Sequence, residues 1–153
     1  MKKLLFLISV IFLHLSTVKA QELDTIPEST NKITVGILQG GGSIVGFDFE
    51  TLISENIGIS VGAGFLAYGA SLHYHFKPSV SSSSLAFNYL HQGIGGSYVQ
   101  SILGPSYVFK ISKYFSGQFG VGGIVGKGSQ FDEAYKNTQE PNVVFIYSLG
   151  VYF

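Results

Sequence analysis

Strict alternation of apolar residues at every second position is the feature that most constrains the fold of this chain. It is clearest over residues 143–153, whose alternate positions are Val143, Phe145, Tyr147, Leu149, Val151 and Phe153. Successive side chains of a β-strand point to opposite faces, so an extended segment would place all of these residues on one face. The opposite face would carry a smaller and more mixed set, namely Val144, Ile146, Ser148, Gly150 and Tyr152.

The same alternation recurs along the chain and predicts eight strands. They are expected to cover residues 32–40, 43–53, 56–66, 68–77, 83–92, 97–110, 113–126 and 142–153. In the second strand, the apolar residues Val45, Phe47 and Phe49 alternate with Gly46, Asp48 and Glu50. Bulky apolar residues thus occupy one face of several strands, and glycine, serine, histidine and carboxylates occupy the other.

Composition indicates what surrounds the apolar faces. Charged residues make up 12% of the chain, against about 25% in ordinary globular proteins, so the polar faces are too poor in charge to form a solvated exterior. A closed β-barrel can bury such a chain in a bilayer, because pairing of every strand satisfies every backbone group. A lumen of eight strands is narrow enough to be filled by side chains. The sequence therefore predicts an all-β fold, an eight-stranded antiparallel transmembrane β-barrel with a filled lumen.

The N-terminal residues predict export from the cytoplasm. Lys2 and Lys3 precede an apolar run, and Ala20 ends a cleavage motif of small residues, which is the layout of a signal peptide. The expected organisation is a signal peptide over 1–20, a polar periplasmic lead-in over 21–31 and an outer-membrane barrel over 32–153. An uncleaved N-terminal anchor helix is the alternative.

Charge and cysteine content exclude several classes of function. Cleavage would remove Lys2, Lys3 and Lys19, leaving six lysines and no arginine against nine acidic residues, a net charge of −3. Such a chain has no basic surface for nucleic acid. The absence of cysteine excludes disulfides, thiol catalysis and cysteine-ligated metals. No cofactor is predicted.

The chain resembles the small eight-stranded outer-membrane β-barrel proteins of bacteria, the OmpX-like and OmpA-transmembrane-like barrels. The resemblance covers residues 32–153 and depends on the final strand, on Leu103-Gly-Pro-Ser-Tyr-Val-Phe109, and on the glycine-rich run from Gly117 to Gly123. It implies a location in the outer membrane of a Gram-negative bacterium, in contact with outer-membrane lipid. It also implies that the barrel-assembly machinery recognises the last strand through Phe145, Tyr147, Leu149, Val151 and Phe153.

Members of this group include structural, adhesion and defence proteins and a few lipid-modifying enzymes, so the resemblance predicts architecture better than activity. The expected role is non-enzymatic, either structural or in surface interaction. The polar segment 127–141 is the longest expected connection and would lie outside the cell. It is the candidate contact surface for an extracellular partner, whose identity the sequence does not indicate.

Several polar residues are expected to point into the lumen. They are Asp48, Glu50, His73, His75, Lys77 and Lys110. We interpret them as an interior network in which the acids pair with histidine or lysine, because buried charges need partners. Imidazoles and carboxylates at this spacing could also converge on a metal ion or handle protons. The network is the preferred interpretation, and no metal ligand is assigned.

No catalytic site is predicted. A lipid A deacylase-like barrel would require a histidine two residues before a serine nucleophile in one strand. Here His73 is followed by His75 and His91 by Gly93, while Ser97 lies across a glycine-rich loop from His91. A lipid-modifying enzyme dependent on His91 or Ser97 stays an alternative, as does a soluble periplasmic β-barrel that binds a small apolar ligand.

Overall fold

The computed structural model describes residues 30–111, 114–137 and 139–153, which contain eight strands. The strands are β1 (Asn31–Ile37), β2 (Val45–Leu52), β3 (Ile57–Gly64), β4 (Ala67–His75), β5 (Ser84–Gln92), β6 (Gln100–Lys110), β7 (Phe115–Lys127) and β8 (Val144–Tyr152). Each strand overlaps one predicted range, so the expected number and order of strands are confirmed. The signal peptide predicted over 1–20 lies outside the described residues. So does the lead-in predicted over 21–31, except for Thr30 and Asn31, and Asn31 already belongs to β1.

The strands form one closed antiparallel barrel. Each strand pairs with the next, and β8 returns to pair with β1 from Thr34↔Tyr152 to Ile37↔Leu149. A short 3₁₀ turn at Gly95–Ser97 and a one-turn helix, α1, at Phe131–Ala134 lie in the connections. Within the described part of the chain, no helix is both long enough and apolar enough to cross a membrane.

Burial in this barrel is the reverse of that in a water-soluble protein. Among the described residues, seventeen buried ones are polar or charged and eight are hydrophobic. Most of the large apolar strand residues point outward, for example Val35, Phe47, Ile59, Leu72, Phe87, Leu103, Phe119 and Phe145, whereas Ile102, Val108 and Ile146 are buried. The alternation in the sequence therefore assigned the two faces of the strands correctly.

The barrel has two distinct ends. The start of β1 and the end of β8 lie at one of them, together with the connections after β2, β4 and β6, and we call it the terminal end. The opposite end, which we call the loop end, carries the connections 38–44, 65–66, 93–99 and 128–143.

Two connections fold into the lumen. At the loop end, Gln39 is buried and its Nε2 donates to Ser148 Oγ at 3.1 Å, while the backbone N–H of Gly40 donates to Asp48 Oδ2 at 3.2 Å. At the terminal end, Val80 is fully buried and its carbonyl accepts a hydrogen bond from Lys32 Nζ at 2.9 Å. The barrel is thus narrowed from both ends by its own chain.

Between these segments the lumen holds a cavity of about 430 Å³. Its wall includes Gly42 and Tyr135 from the loop end, Ser71 from the middle, and Glu50 and Lys110 from the terminal end. Many inward positions are glycine or serine, whose side chains are too short to meet across the barrel. The expectation of a filled lumen is therefore wrong for its central part.

Candidate functional site

A cluster of ionisable side chains occupies the lumen near the terminal end. We define the base cluster as Lys32 of β1, Glu50 of β2, His73 and His75 of β4, and Lys110 of β6. All five occupy inward positions close to the strand ends that meet there. The side chains of Lys32, Glu50, His73 and His75 are between 0% and 7% exposed, which makes their mutual contacts decisive for stability.

Glu50 is the centre of the base cluster. Its Oε2 lies 2.9 Å from Lys32 Nζ, across the β1–β2 pair. Its Oε1 lies 2.8 Å from His75 Nε2 and 3.5 Å from His73 Nδ1. Glu50 Oε1 and His75 Nε2 are in contact, yet neither has a hydrogen-bond partner of acceptable geometry within the described residues. The two atoms are thus in contact without forming a hydrogen bond of acceptable geometry.

The intervening strand β3 allows β2 and β4 side chains to meet. Its inward residues at this level are Gly58, which pairs with His73, and Ser60, which pairs with Glu50. A Cβ at Gly58 would lie 3.0 Å from His75 Nε2 and 3.2 Å from the Thr51 carbonyl oxygen. A larger residue there would push the His75 ring away from Glu50.

The far ring nitrogens of both histidines also have polar neighbours. His73 Nε2 lies 3.0 Å from Ser60 Oγ, and His75 Nδ1 lies 3.4 Å from the Ser82 carbonyl oxygen. His73 Nδ1 is in addition 3.2 Å from Ser84 Oγ. These neighbours fix the ring orientations that direct His73 Nδ1 and His75 Nε2 toward Glu50.

The two lysines of the base cluster share an aromatic neighbour. Lys32 Nζ lies 4.8 Å and Lys110 Nζ lies 5.1 Å from the centroid of the Tyr152 ring. Cations at this distance over a tyrosine face are attracted by its π-electrons. Tyr152, an inward residue of β8, therefore helps to hold two like charges in one narrow space.

Four of the six predicted lumen residues belong to this cluster, namely Glu50, His73, His75 and Lys110. Asp48 of β2 also points inward, but its carboxylate accepts a hydrogen bond from the Gly40 N–H. It therefore holds the segment that enters the lumen from the loop end and is not part of the base cluster. The prediction for Lys77 is wrong, because β4 ends at His75 and Lys77 lies exposed in the following turn. Lys32 was missed, although its position in the alternation with Ile33 and Val35 marks it as inward.

Above the base cluster, uncharged polar side chains form a network along one side of the lumen. Asn88 Nδ2 donates to Ser106 Oγ at 2.8 Å, and Gln118 Nε2 donates to Asn88 Oδ1 and to Ser106 Oγ, each at 2.8 Å. Ser148 Oγ in turn donates to Gln118 Oε1 at 3.1 Å. This network links the consecutive strands β5, β6, β7 and β8 on the inner wall of the barrel.

A second histidine cluster lies on the barrel exterior near the loop end. We define the rim cluster as Tyr68, Tyr89, His91, Tyr98 and Ser101. The His91 ring is stacked between Tyr68 and Tyr98, with ring centroids 4.4 Å and 4.3 Å away. His91 Nδ1 lies 2.9 Å from Ser101 Oγ, which also contacts the hydroxyls of Tyr98 at 2.9 Å and Tyr89 at 3.2 Å.

The sequence did not predict the partner of His91. The β5–β6 register pairs His91 with Ser101, whereas Ser97 lies exposed in the 3₁₀ turn. Ser101 is buried beneath the tyrosines, and within the described residues no carboxylate contacts His91. The rim cluster is therefore a serine–histidine pair without an acid and with a covered hydroxyl.

No protein-family model matches this chain, and neither the curated proteins nor the solved structures contain a significant match to it.

Proposed function

We propose that this chain is an outer-membrane β-barrel with a non-enzymatic role in envelope structure or surface interaction. The observation that supports this proposal is the reversed burial of the barrel. Large apolar side chains such as Phe47, Phe119 and Phe145 are 51%, 60% and 75% exposed on its outside, and the charged residues Lys32 and Glu50 are buried inside. Contiguous apolar surface of this extent is unfavourable in water and favourable in hydrocarbon.

Aromatic residues at both ends of the exterior support a membrane position. Tyr68, Tyr89 and Tyr98 lie near the loop end, and Tyr107 and Phe109 near the terminal end. Outer-membrane barrels carry such aromatic girdles at the two interfaces of the bilayer, where a ring can be apolar on one side and hydrated on the other. The chain has no tryptophan, so tyrosine supplies this feature.

The segment 127–141 is the proposed contact surface for an extracellular partner. Phe131 of α1 is buried, and Tyr135 Oη donates to Gln100 Oε1 at 3.0 Å, so the segment is anchored on the barrel mouth. Its charged residues stay exposed, with an ion pair of 2.7 Å between Lys127 and Glu140. An anchored backbone with exposed charges suits recognition, because little ordering is needed on binding.

The last strand is proposed to contact the barrel-assembly machinery. Its outward residues Phe145, Tyr147, Leu149 and Phe153 are each between 59% and 79% exposed in the closed barrel, so they form an accessible apolar row. Val151, the remaining residue of the proposed signal, is half-buried. Phe153→Ser is expected to lower the amount of assembled barrel in cells while leaving refolding into detergent unchanged.

The decisive experiment is cell fractionation combined with heat-modifiable gel migration. We expect the chain in the outer-membrane fraction, released only by detergent, with faster migration before boiling than after it. A monodisperse chain in detergent-free buffer would instead support the soluble periplasmic barrel. That alternative is disfavoured because its apolar ligand would need a lumen free of charge, and the wall of this lumen contains Glu50, Asp48 and Lys110.

A second candidate function is hydrolysis or transfer of a lipid ester at the rim cluster. The 2.9 Å contact between His91 Nδ1 and Ser101 Oγ favours it, because a general base must reach the hydroxyl that it activates. The covered hydroxyl of Ser101 argues against it. Expression that alters the acylation of outer-membrane lipid, with the change lost in Ser101→Ala and retained in Ser97→Ala, would support this second function over the first.

A further inference from the structure

We propose that Glu50, His73 and His75 bind one transition-metal ion, for which Zn²⁺ is the best fit, with an open coordination position facing the lumen cavity. One ligand atom from each of the three residues lies within 4.8 Å of the other two, and the ion-pair contacts join Glu50 Oε1 to His73 Nδ1 and to His75 Nε2. Two imidazoles and one carboxylate suit zinc, whereas magnesium and calcium prefer oxygen ligands alone.

The distances among the ligand atoms are close to those that zinc requires. Bonds of about 2.0–2.2 Å in tetrahedral geometry separate neighbouring ligand atoms by roughly 3.2–3.5 Å. Glu50 Oε1 lies 3.5 Å from His73 Nδ1 and 2.8 Å from His75 Nε2. Both distances from Glu50 Oε1 therefore approach the required separation, and side-chain rotation has to close the remaining gaps among ligand atoms that all lie within 4.8 Å.

Each ligand is oriented by a second residue through the atom that faces away from the site. Lys32 Nζ holds Glu50 Oε2 at 2.9 Å, Ser60 Oγ lies 3.0 Å from His73 Nε2, and the Ser82 carbonyl oxygen lies 3.4 Å from His75 Nδ1. Such partners are typical of metal sites, where they fix the tautomer and direction of each ligand. A simple ion pair does not require all three.

The contact between Glu50 and His75 also requires a proton or a cation between the two atoms, because two lone pairs at this distance would repel each other. His75 Nδ1 lies 3.4 Å from the Ser82 carbonyl oxygen and 3.5 Å from the Ser82 hydroxyl. With its proton on Nδ1, donated to the carbonyl, the ring presents the lone pair of Nε2 to Glu50. That lone pair is buried 2.8 Å from a carboxylate oxygen, and neither atom has a hydrogen-bond partner among the described residues. Either a proton on Nε2 or a metal ion between the ligands resolves this arrangement. His73 Nδ1, which lies 3.5 Å from the same oxygen and 3.2 Å from Ser84 Oγ, is placed to be the third ligand of such an ion.

The open side of the site faces the cavity. Glu50 and His73 line it, together with Ser60 and Lys110, and the cavity extends to Gly42 and Tyr135 at the loop end. This path would admit the ion and leave room for a water or small ligand in the fourth position, as in zinc sites with three protein ligands.

Lys110 provides a test of whether the base cluster binds a cation. It is the lysine of the base cluster that makes no ion pair within 4 Å in the described part of the chain, and its ammonium form repels a bound cation. Lys110→Met should therefore tighten zinc binding several-fold. If the cluster were only a proton-bridged ion pair, the same substitution would produce no zinc binding to tighten.

The experiment uses the full barrel without a histidine tag, folded in detergent, stripped with EDTA and titrated with Zn²⁺ alone in a calorimeter. We expect one ion per chain, and a loss of affinity of at least the roughly 10–100-fold that removal of supporting groups causes in both Glu50→Gln and His75→Gln. Tetrahedral Co²⁺ absorption in the wild-type barrel provides a second readout that needs no variant. His91→Gln, outside the site, is the matched control and should bind as the wild type does.

Absence of saturable zinc uptake by the folded wild-type barrel would overturn the proposal and leave an imidazolium–carboxylate pair. Equal affinity in wild type, Glu50→Gln and His75→Gln would overturn it too, because the ion would then bind elsewhere. Gel migration before boiling shows which variants are folded. These measurements are made in detergent and do not depend on the location of the barrel in cells.

Discussion

The base cluster and the rim cluster use the same residue type on neighbouring strands in opposite ways. Inside the barrel, His73 and His75 direct their ring nitrogens at Glu50 and at serine groups. Outside it, His91 uses its ring faces, which stack between Tyr68 and Tyr98. The base cluster contains two lysines and a carboxylate, and the rim cluster contains no group of fixed charge.

The difference follows from what can replace a lost partner. The base cluster is enclosed by the barrel wall and by the segment around Val80, so a charge deprived of its partner stays buried. The rim cluster is half-exposed, and its hydroxyl and ring nitrogen can be satisfied by water. Truncation of a polar side chain to alanine should therefore lower the free energy of unfolding strongly in the base cluster and only slightly in the rim cluster.

The largest effect is expected for Glu50→Ala. It leaves Lys32 and the two histidines facing each other without an anion, and removal of one partner from a buried ion pair typically costs about 3–5 kcal/mol. The free energy of unfolding in urea, followed by far-UV circular dichroism, measures it. Asp48→Ala is the matched control and should cost only about 1–3 kcal/mol, because it leaves one backbone N–H, that of Gly40, without its acceptor. Equal losses in the two variants would contradict the central place of Glu50.

The next largest effect tests whether lipid or water surrounds the outer face of the barrel, where the rim cluster lies. Phe119→Lys should destabilise the barrel in lipid by about 2–4 kcal/mol if that site lies near the bilayer midplane. Ile111→Lys, just beyond β6 at the terminal end, should cost about 0–1 kcal/mol, because lysine is tolerated near the interface. Reversible unfolding in lipid vesicles compares the two. A barrel indifferent to lysine at both positions would mean that its exterior faces water.

A third substitution tests how the base cluster is assembled. Gly58→Ala places a methyl group 3.0 Å from His75 Nε2, and overpacking of this kind costs roughly 1–3 kcal/mol. Gly123→Ala in β7 meets nothing within 4 Å and should be nearly neutral. If both alanines were equally tolerated in urea titrations, the small residues of β3 would not be needed for the contact between Glu50 and His75.

The alternation in the sequence was sufficient to predict the strands and their inward residues, because side-chain period is a local property. Glu50, His73 and His75 were therefore placed inside correctly. Their meeting across β3 was not predictable, since it depends on the registers of two hairpins and on the small size of Gly58. Whether a residue such as Lys77 still belongs to a strand depends on where the turn begins, and there the pattern extended β4 too far.

The rim cluster shows a related limit. Proximity along the chain connected His91 with Ser97, but the hairpin register pairs His91 with Ser101 across the two strands. The lumen shows a further limit of prediction from sequence. The pattern does not reveal that residues 38–43 fold inward, nor that the centre of the barrel stays open. Connections acquire their direction from tertiary contacts, which a periodic pattern does not encode.

The smallest effect is expected for Ser101→Ala in the rim cluster. The substitution removes one hydroxyl from Tyr89, His91 and Tyr98, which are partly exposed and can bind water instead, so the free energy of unfolding should fall by about 0.5–1.5 kcal/mol, the net value of a typical hydrogen bond. Mass spectrometry of outer-membrane lipid from cells expressing wild type or Ser101→Ala should show the same acylation. A difference in acylation together with unchanged stability would make the rim cluster a catalytic site. A loss of stability as large as that of Glu50→Ala would instead show that the two clusters are equally enclosed, and the contrast between them would then fail.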